Sequence, residues 1–385
     1  MDEINYSIII LANSNKNLDI TLESIYNQNY DKSKIEVIII DNGVSNIEEI
    51  IEHYKESFIN ISYKKAYANL YIDSINEVIK EVKGEYITFI SNNNYYKNNN
   101  VFNKIDNLTG KYEIISIKAE YQSNTFEEYC MQPVKTKNIN VFEEPININL
   151  YFNSYFFNRR IVNKFNFNNR FPFDYQLIYL NDIFEKYNEF YYLDKASIVS
   201  IEPFDTSSSV SEYNLNRDWY TDTIDRLIRY LDDKNKIDKY TQYIITHIIN
   251  VRFNSNLGDN DKKVLYGSEI DDFFDKVTVL TKFIDNSILI SYVHHSFKIK
   301  NRFVAYFLAK RKYRVKPEII IENNKLKLSY GDGEKIINKD VLYENINVLA
   351  IDYNEEQLHF ECKTSLSNVL DEDDYKIVIK YCGEE

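Results

Sequence analysis

Gly84-Glu85-Tyr86-Ile87-Thr88-Phe89-Ile90-Ser91-Asn92-Asn93-Asn94 decides the fold: a helix-stopping glycine, an apolar run, then small polar residues. Upstream, Tyr71–Val82 has helical spacing and stops at this glycine, so Tyr86–Ile90 reads as a buried strand. The same alternation extends toward the amino terminus. Tyr6–Ala12 (YSIIILA) and Ile35–Ile40 (IEVIII) are nearly unbroken apolar runs of the kind that pack on both faces. Between them, Leu18–Gln28 places Leu18, Leu22, Ile25 and Tyr26 on one helical face, with Asn17 or Asp19 near its cap. Ile47–Tyr54 reads as a helix and Ile59–Tyr63 as a short strand. Strands and helices that alternate with short connections predict an α/β domain built on a doubly wound, mostly parallel sheet. Ligands of such sheets sit beyond the carboxyl ends of the strands, here Asn13–Asn15, Asp41–Gly43 and Ser91–Asn94.

Composition narrows the class. A chain of 385 residues with 44% hydrophobic, 15% aromatic and 27% charged residues is expected to fold as two or three soluble domains. The net charge of −13 disfavours general nucleic-acid binding, which needs surplus cations. Three scattered cysteines make neither a disulfide framework nor a zinc site, and the five histidines have no ligand-like spacing. The acidic start lacks the order of a secretory signal, and no apolar run is long enough to span a bilayer; both point to the cytoplasm.

After Trp219 the pattern changes to helices over Tyr220–Leu231, Tyr240–Phe253, Ser268–Ile284 and Arg302–Lys312. Beyond Pro317 it changes to strands: Glu318–Glu322, Lys325–Tyr330, Val348–Tyr353, Gln357–Lys363 and Tyr375–Tyr381. The expected domains are 1–212 (α/β), 213–315 (helical) and 316–385, a small β-sandwich-like module. Its stop just after a strand suggests a fragment of a longer protein. Within Lys298–Lys316, Lys310, Arg311, Lys312 and Arg314 lie beside an apolar stripe through Phe303, Phe307 and Leu308. Such a helix docks on an anionic bilayer or polymer, or packs inward with its cations solvated. His294-His295 reads as a helix-end pair rather than a metal site, and Trp219 as core packing between domains or as a platform for sugar stacking.

Residues 5–95 resemble the family 2 glycosyltransferases, which have the GT-A fold. Leu11-Ala12-Asn13-Ser14-Asn15 stands at the family's first loop, and Thr21–Gln28 matches its first helix phrase. Glu36–Asn46 matches the second strand with its acidic turn, and Asn76 through Ile90 the third phrase. The resemblance implies a donor pocket lined by Ala12, Asn13, Asp41, Asn42 and Asn76, with Ser91, Asn92 and Asn93 toward the diphosphate. It also implies a general base at Asp174, with Asp182 as the rival, for an inverting transfer from a UDP- or CDP-linked sugar. The later segments resemble transferases that decorate or build teichoic acid or capsule polymers.

The departures carry as much information. Asp41 holds a ribose or uracil on this reading, or it caps the turn into Val44–Ile47. Asn42 replaces a second acid, Ile75 an arginine, and Phe173 the glutamate before Asp174. Ser91, Asn92, Asn93 and Asn94 occupy the Asp-x-Asp-Asp positions, where carboxylates hold Mg²⁺ or Mn²⁺. Neutral amides bind hard cations weakly, so weak or absent metal dependence is expected, with Asn93 at the degenerate ligand position. Glu202–Thr206 lacks the basic residue expected to clamp phosphate. Two functions follow: a glycosyltransferase acting on a cell-surface polymer, or a GT-A domain that has lost catalysis and scaffolds or binds that polymer. An oligomer built through the β-module and helical region is a third.

Overall fold

The computed structural model describes residues 4–43, 46–56, 58, 60–66, 71–122, 133, 135–201, 216–256, 264–265, 268–285 and 288, with strands at 318–320, 328–329, 346–353, 357–364 and 375–382. The chain divides into two compact units, Met1–Val210 and Ser211–Glu385.

The first unit opens with β1 (Tyr6–Ala12), α1 (Leu18–Tyr26), β2 (Ile35–Asp41), α2 (Ile47–Lys55), β3 (Ile61–Lys65), α3 (Tyr71–Glu81) and β4 (Tyr86–Ser91). The four strands are parallel in the order β3-β2-β1-β4. Every residue of β1 and β2 is buried, as continuous apolar runs require when helices cover both faces. β3 begins two residues later than its hydrophobicity suggests and is the outer strand, half exposed. Its Tyr63 hydroxyl donates to Glu48 (2.5 Å) and Lys64 pairs with Glu77 (2.6 Å).

The segment after β4 is less legible in the sequence. It forms β5 (Asn94–Tyr96), α4 (Val101–Asp106), β6 (Ile114–Tyr121), β7 (Lys137–Asn140), β8 (Tyr155–Asn158), α5 (Arg159–Val162), α6 (Tyr175–Phe184) and β9 (Glu189–Ser200). β8 lies antiparallel between β4 and β6, and β9 runs parallel to β6. Ile117 pairs with Leu193 but Lys118 with Ser197, so β9 carries extra residues there. Such a bulge bends a strand, and the two halves of β9 take different antiparallel partners, β7 and then β5. The sheet is therefore mixed and curled rather than uniformly parallel.

The centre of this sheet depends on close approach. Gly84 N–H donates to Ser7 Oγ (2.8 Å), which donates to the buried Glu36 carboxylate (2.6 Å). Lys83 N–H donates to the same carboxylate (3.0 Å). A Cβ on Gly84 would lie 2.3 Å from Ser7 N and 2.6 Å from the Tyr6 carbonyl carbon, both backbone atoms. Nearby, the buried Tyr6 ring meets Phe102 (4.9 Å), Tyr30 (5.4 Å) and Phe156 (6.2 Å), and its hydroxyl donates to Asp106. Burial, then that hydrogen bond, push the Tyr6 phenol far above its ordinary value, so it stays a donor. Gly84→Ala is expected to cost about 3 kcal/mol in urea unfolding, since backbone cannot yield as a side chain does; an unchanged midpoint would show that the strands separate freely.

In the second unit a wide turn, Trp219–Thr223, leads into the helix Ile224–Asp232, followed by helices Lys239–Asn256 and Ser268–Thr281. Trp219 is fully buried and meets Tyr220 edge-on (5.1 Å), which meets Phe273 (5.2 Å). The described strands toward the carboxyl end form a five-stranded antiparallel sheet with strands at 328–329, 318–320, 375–382, 357–364 and 346–353 in that order. The run Lys298–Lys316, with Lys310, Arg311, Lys312 and Arg314, and His294-His295 lie outside the described residues.

His247, inside Lys239–Asn256, is buried, and that burial pushes its imidazole down from 6.5 to about 4. The folded chain thus refuses a proton that the unfolded chain accepts. Stability is intact above pH 6.5, falls as the pH drops toward 4, and levels off below. Full loss amounts to about 3 kcal/mol. Unfolding of the second unit at pH 7 and pH 4 should show this loss in the native chain and not in His247→Gln.

Candidate functional site

The carboxyl ends of β1, β2 and β4 form one rim. Register places Ala12 opposite Asp41, and Leu11 opposite Ser91. Asn42 N–H donates to the Ala12 carbonyl (2.8 Å), and Ala66 N–H to the Asp41 carbonyl (2.7 Å). Gly43 follows at φ +84°, a conformation that favours glycine and lets the chain leave the strand at once. Asp41 is buried at the rim, while Asn13 beside it is exposed. Ala12, Asn13, Asp41, Asn42, Ser91, Asn92 and Asn93 are therefore brought together on one edge.

Asn92 organises that edge. Its amide donates to the Lys16 carbonyl (2.9 Å) and to Ser14 Oγ (3.1 Å), and its Oδ1 accepts from Asn13 N–H (3.3 Å). Its backbone carbonyl accepts from Thr21 Oγ1 (3.0 Å). One side chain thus ties β4 to the first loop, while its backbone reaches α1. Asn93 Oδ1 accepts from Asn17 Nδ2 (2.9 Å). Asn94 closes the turn: its Oδ1 accepts from Ser91 N–H (2.9 Å) and Oγ (3.1 Å), and its Nδ2 donates to Tyr151 (2.7 Å).

Asn17, Tyr151, Ser14 and Thr21 belong to this network. Ser14 and Thr21 fall in the matched first-loop and helix phrases and Asn17 near the cap; only Tyr151 carried no sequence signal. Asn17 does precede α1, but at φ 64° its side chain makes no cap and reaches Asn93 instead. Asparagine tolerates that left-handed conformation better than other side chains, so the cap position became a strut.

These residues do not fit a divalent cation of the kind the fold class commonly uses. Hard cations favour anionic oxygen, and the amide oxygens of Asn92, Asn93 and Asn94 already accept from Asn13, Asn17 and Ser91. Among the described residues no group of three or more His, Cys, Asp or Glu side chains gathers to hold a metal.

Asn76 turns elsewhere. Its Nδ2 donates to the Phe167 carbonyl (2.9 Å) and its Oδ1 accepts from Phe167 N–H (2.7 Å), a paired clasp between α3 and the segment before α6. Asp174 occupies the N-cap position of α6 at φ −119° without capping through its side chain, and is almost wholly buried. Its rival Asp182 lies further along α6, toward a groove between α3 and α6.

A curled, partly parallel α/β sheet with its polar rim at the carboxyl ends of β1, β2 and β4 is the GT-A architecture. Residues 7–187, just under half of the chain, match the family described as glycosyl transferase family 2. No curated protein sequence matches the chain. Crystal structures of TarS from S. aureus share the fold. One covers 98% of this chain and 72% of its own, at 12% identity and TM-score 0.55. The 1–349 fragment in complex with UDP covers 86% and 98% at 12% identity and TM-score 0.56. The same fragment with UDP-GlcNAc covers 86% and 98% at 12% identity and TM-score 0.51. Among the described residues no helix is long and apolar enough to cross a membrane.

Asn92→Asp places a carboxylate oxygen against the Lys16 carbonyl where an N–H now donates. An unfolding measurement should show a loss of about 2 kcal/mol, and a stabilised variant would mean that the edge is built for an absent cation.

Proposed function

We propose that this protein transfers a sugar from a uridine diphosphate donor to a cell-surface polymer of the teichoic-acid type, with inversion. The single observation behind the reading is the rim itself. A family 2 domain brings Asp41, Asn42, Ala12 and Asn13 to one edge, and TarS, of the same fold, crystallises with UDP and UDP-GlcNAc. Asp41 would accept a hydrogen bond from the uracil or ribose, and the Asn42 amide would add a donor and an acceptor to base recognition. Asp174 would take the proton of the attacking hydroxyl. No step passes through a metal, because the strand end offers a cation no anionic ligand. Contact with the inner face of the membrane, through Lys310, Arg311, Lys312 and Arg314, belongs to the same proposal.

One observation favours the second reading, a polymer-binding scaffold without catalysis. The polar groups of Ser91–Asn94, where a transferase would meet the diphosphate, are engaged with one another and with neighbouring elements.

A thermal-shift titration separates the two. UDP should raise the melting temperature equally with Mn²⁺ or with EDTA, by the equivalent of about 2.7 kcal/mol at a hundredfold excess over Kd. Asp174→Asn should keep that shift while lowering turnover about 10²- to 10⁴-fold. Silence with every nucleotide supports the scaffold, and an EDTA-sensitive activity mapped to Asn93 contradicts the metal-free site.

A further inference from the structure

A groove of about 770 Å³ runs between α3 and α6 over residues 164–169. Of the rim candidates only Asn76 touches it, and there the side chain is spent on the clasp to Phe167. That clasp fixes the direction of the groove. Asn169 Nδ2 donates to Asp73 (3.3 Å) and Asn76 pairs with Phe167, so α3 runs antiparallel to this segment. Lys80, one turn beyond Asn76, therefore comes alongside residues 164–165. Lys186 Nζ lies 5.5 Å from the Phe165 ring centroid, and Lys164 Nζ is 2.7 Å from the Tyr187 hydroxyl. Three exposed lysines thus line one end, where Glu185 precedes Lys186 in the chain, and Asp73 with Asn169 marks the other.

This polarity selects a ligand. Glu77 also lines the groove but is paired with Lys64 (2.6 Å). A neutral saccharide would leave the charge of the lysines unused, and a bare polyanion would run into Asp73, Asp182 and Glu185. A molecule with both a phosphate and hydroxyls satisfies both ends, because ammonium groups donate to phosphate oxygens while carboxylates and amides accept from hydroxyls. Location adds a second argument. Asp182 follows Asp174 by eight residues, about 12 Å along a helix, so a chain presented to Asp174 reaches the groove within a few repeat units.

We propose that the groove is an acceptor subsite that holds one phosphate-linked polyol unit, its phosphate at Lys80, Lys164 and Lys186 and its hydroxyls at Asp73, Asn169 and Asp182. This rests on the transferase reading for the identity of the polymer, and it stands or falls separately as a binding site.

The test is calorimetry on the full chain with a synthetic glycerol phosphate oligomer, inorganic phosphate and a neutral oligosaccharide of equal length. The oligomer alone should bind. Replacing the three lysines together (Lys80→Gln, Lys164→Gln, Lys186→Gln) should weaken it at least tenfold, with the circular dichroism spectrum and the UDP thermal shift unchanged. Asn169→Ala with Asp182→Asn should weaken the oligomer too. Oligomer affinity within twofold of the native value in the triple-lysine variant overturns the subsite, as does equal binding of phosphate or of the neutral oligosaccharide. Lysine-dependent oligomer binding without any nucleotide response keeps the subsite and removes the transferase reading. Nucleotide response with lysine-independent oligomer binding does the reverse.

Discussion

A carboxamide both donates and accepts, and the candidate site depends on that property at Asn92. A carboxylate there could accept from Asn13 but could not donate to the Lys16 carbonyl. Because the side chain does both, it fixes the first loop to the end of β4, and its backbone carbonyl holds α1 through Thr21. Asn94 repeats the device one level down, accepting from Ser91 and donating to Tyr151. The rim that resembles a metal-carrying edge is thus held by neutral hydrogen bonds. Such bonds are worth about 1 kcal/mol each when paired and cost more when broken in a buried place.

This arrangement explains how one edge carries two functional readings. Ala12 and Asp41 stand in register at the ends of β1 and β2, where the proposed donor would bind. The side chains of Ser91–Asn94 are instead engaged with one another and with neighbouring elements. Binding of a nucleoside is compatible with the first set alone. Handling of a diphosphate asks for charge that the second set does not provide. Cations elsewhere in the chain, or a donor held chiefly through its base and sugar, are the remaining chemical routes.

Much of the first ninety residues was legible because long apolar runs leave few alternatives to a strand covered on both faces. Tyr6–Ala12 was read to the residue, and Ile35–Asp41 to within one. The following stretch was less legible for physical reasons. Tyr155–Asn158 and Ile114–Tyr121 are short, aromatic or interrupted by polar residues, and their place in the sheet is set by distant partners and by the bulge in β9. At the rim, sequence pointed to strand ends that do lie side by side, but not to the hydrogen-bond partners. Tyr151 reaches Asn94 across 57 residues, and no local pattern announces such a contact. Asn76 illustrates the opposite limit: a position matched by resemblance turned out to brace Phe167, because an amide suits a backbone clasp as well as a ligand.

The outer strand β3 has a consequence for the molecule in solution. An unpaired margin of sheet invites other chains to add to it, and proteins suppress this with charge and brevity. Here the margin is five residues long, presents Lys64 and Lys65, and has its tyrosine and first lysine held back toward Glu48 and Glu77. A chain this rich in isoleucine and tyrosine would otherwise be prone to stack into fibres. The clamps on β3 oppose such edge-to-edge addition.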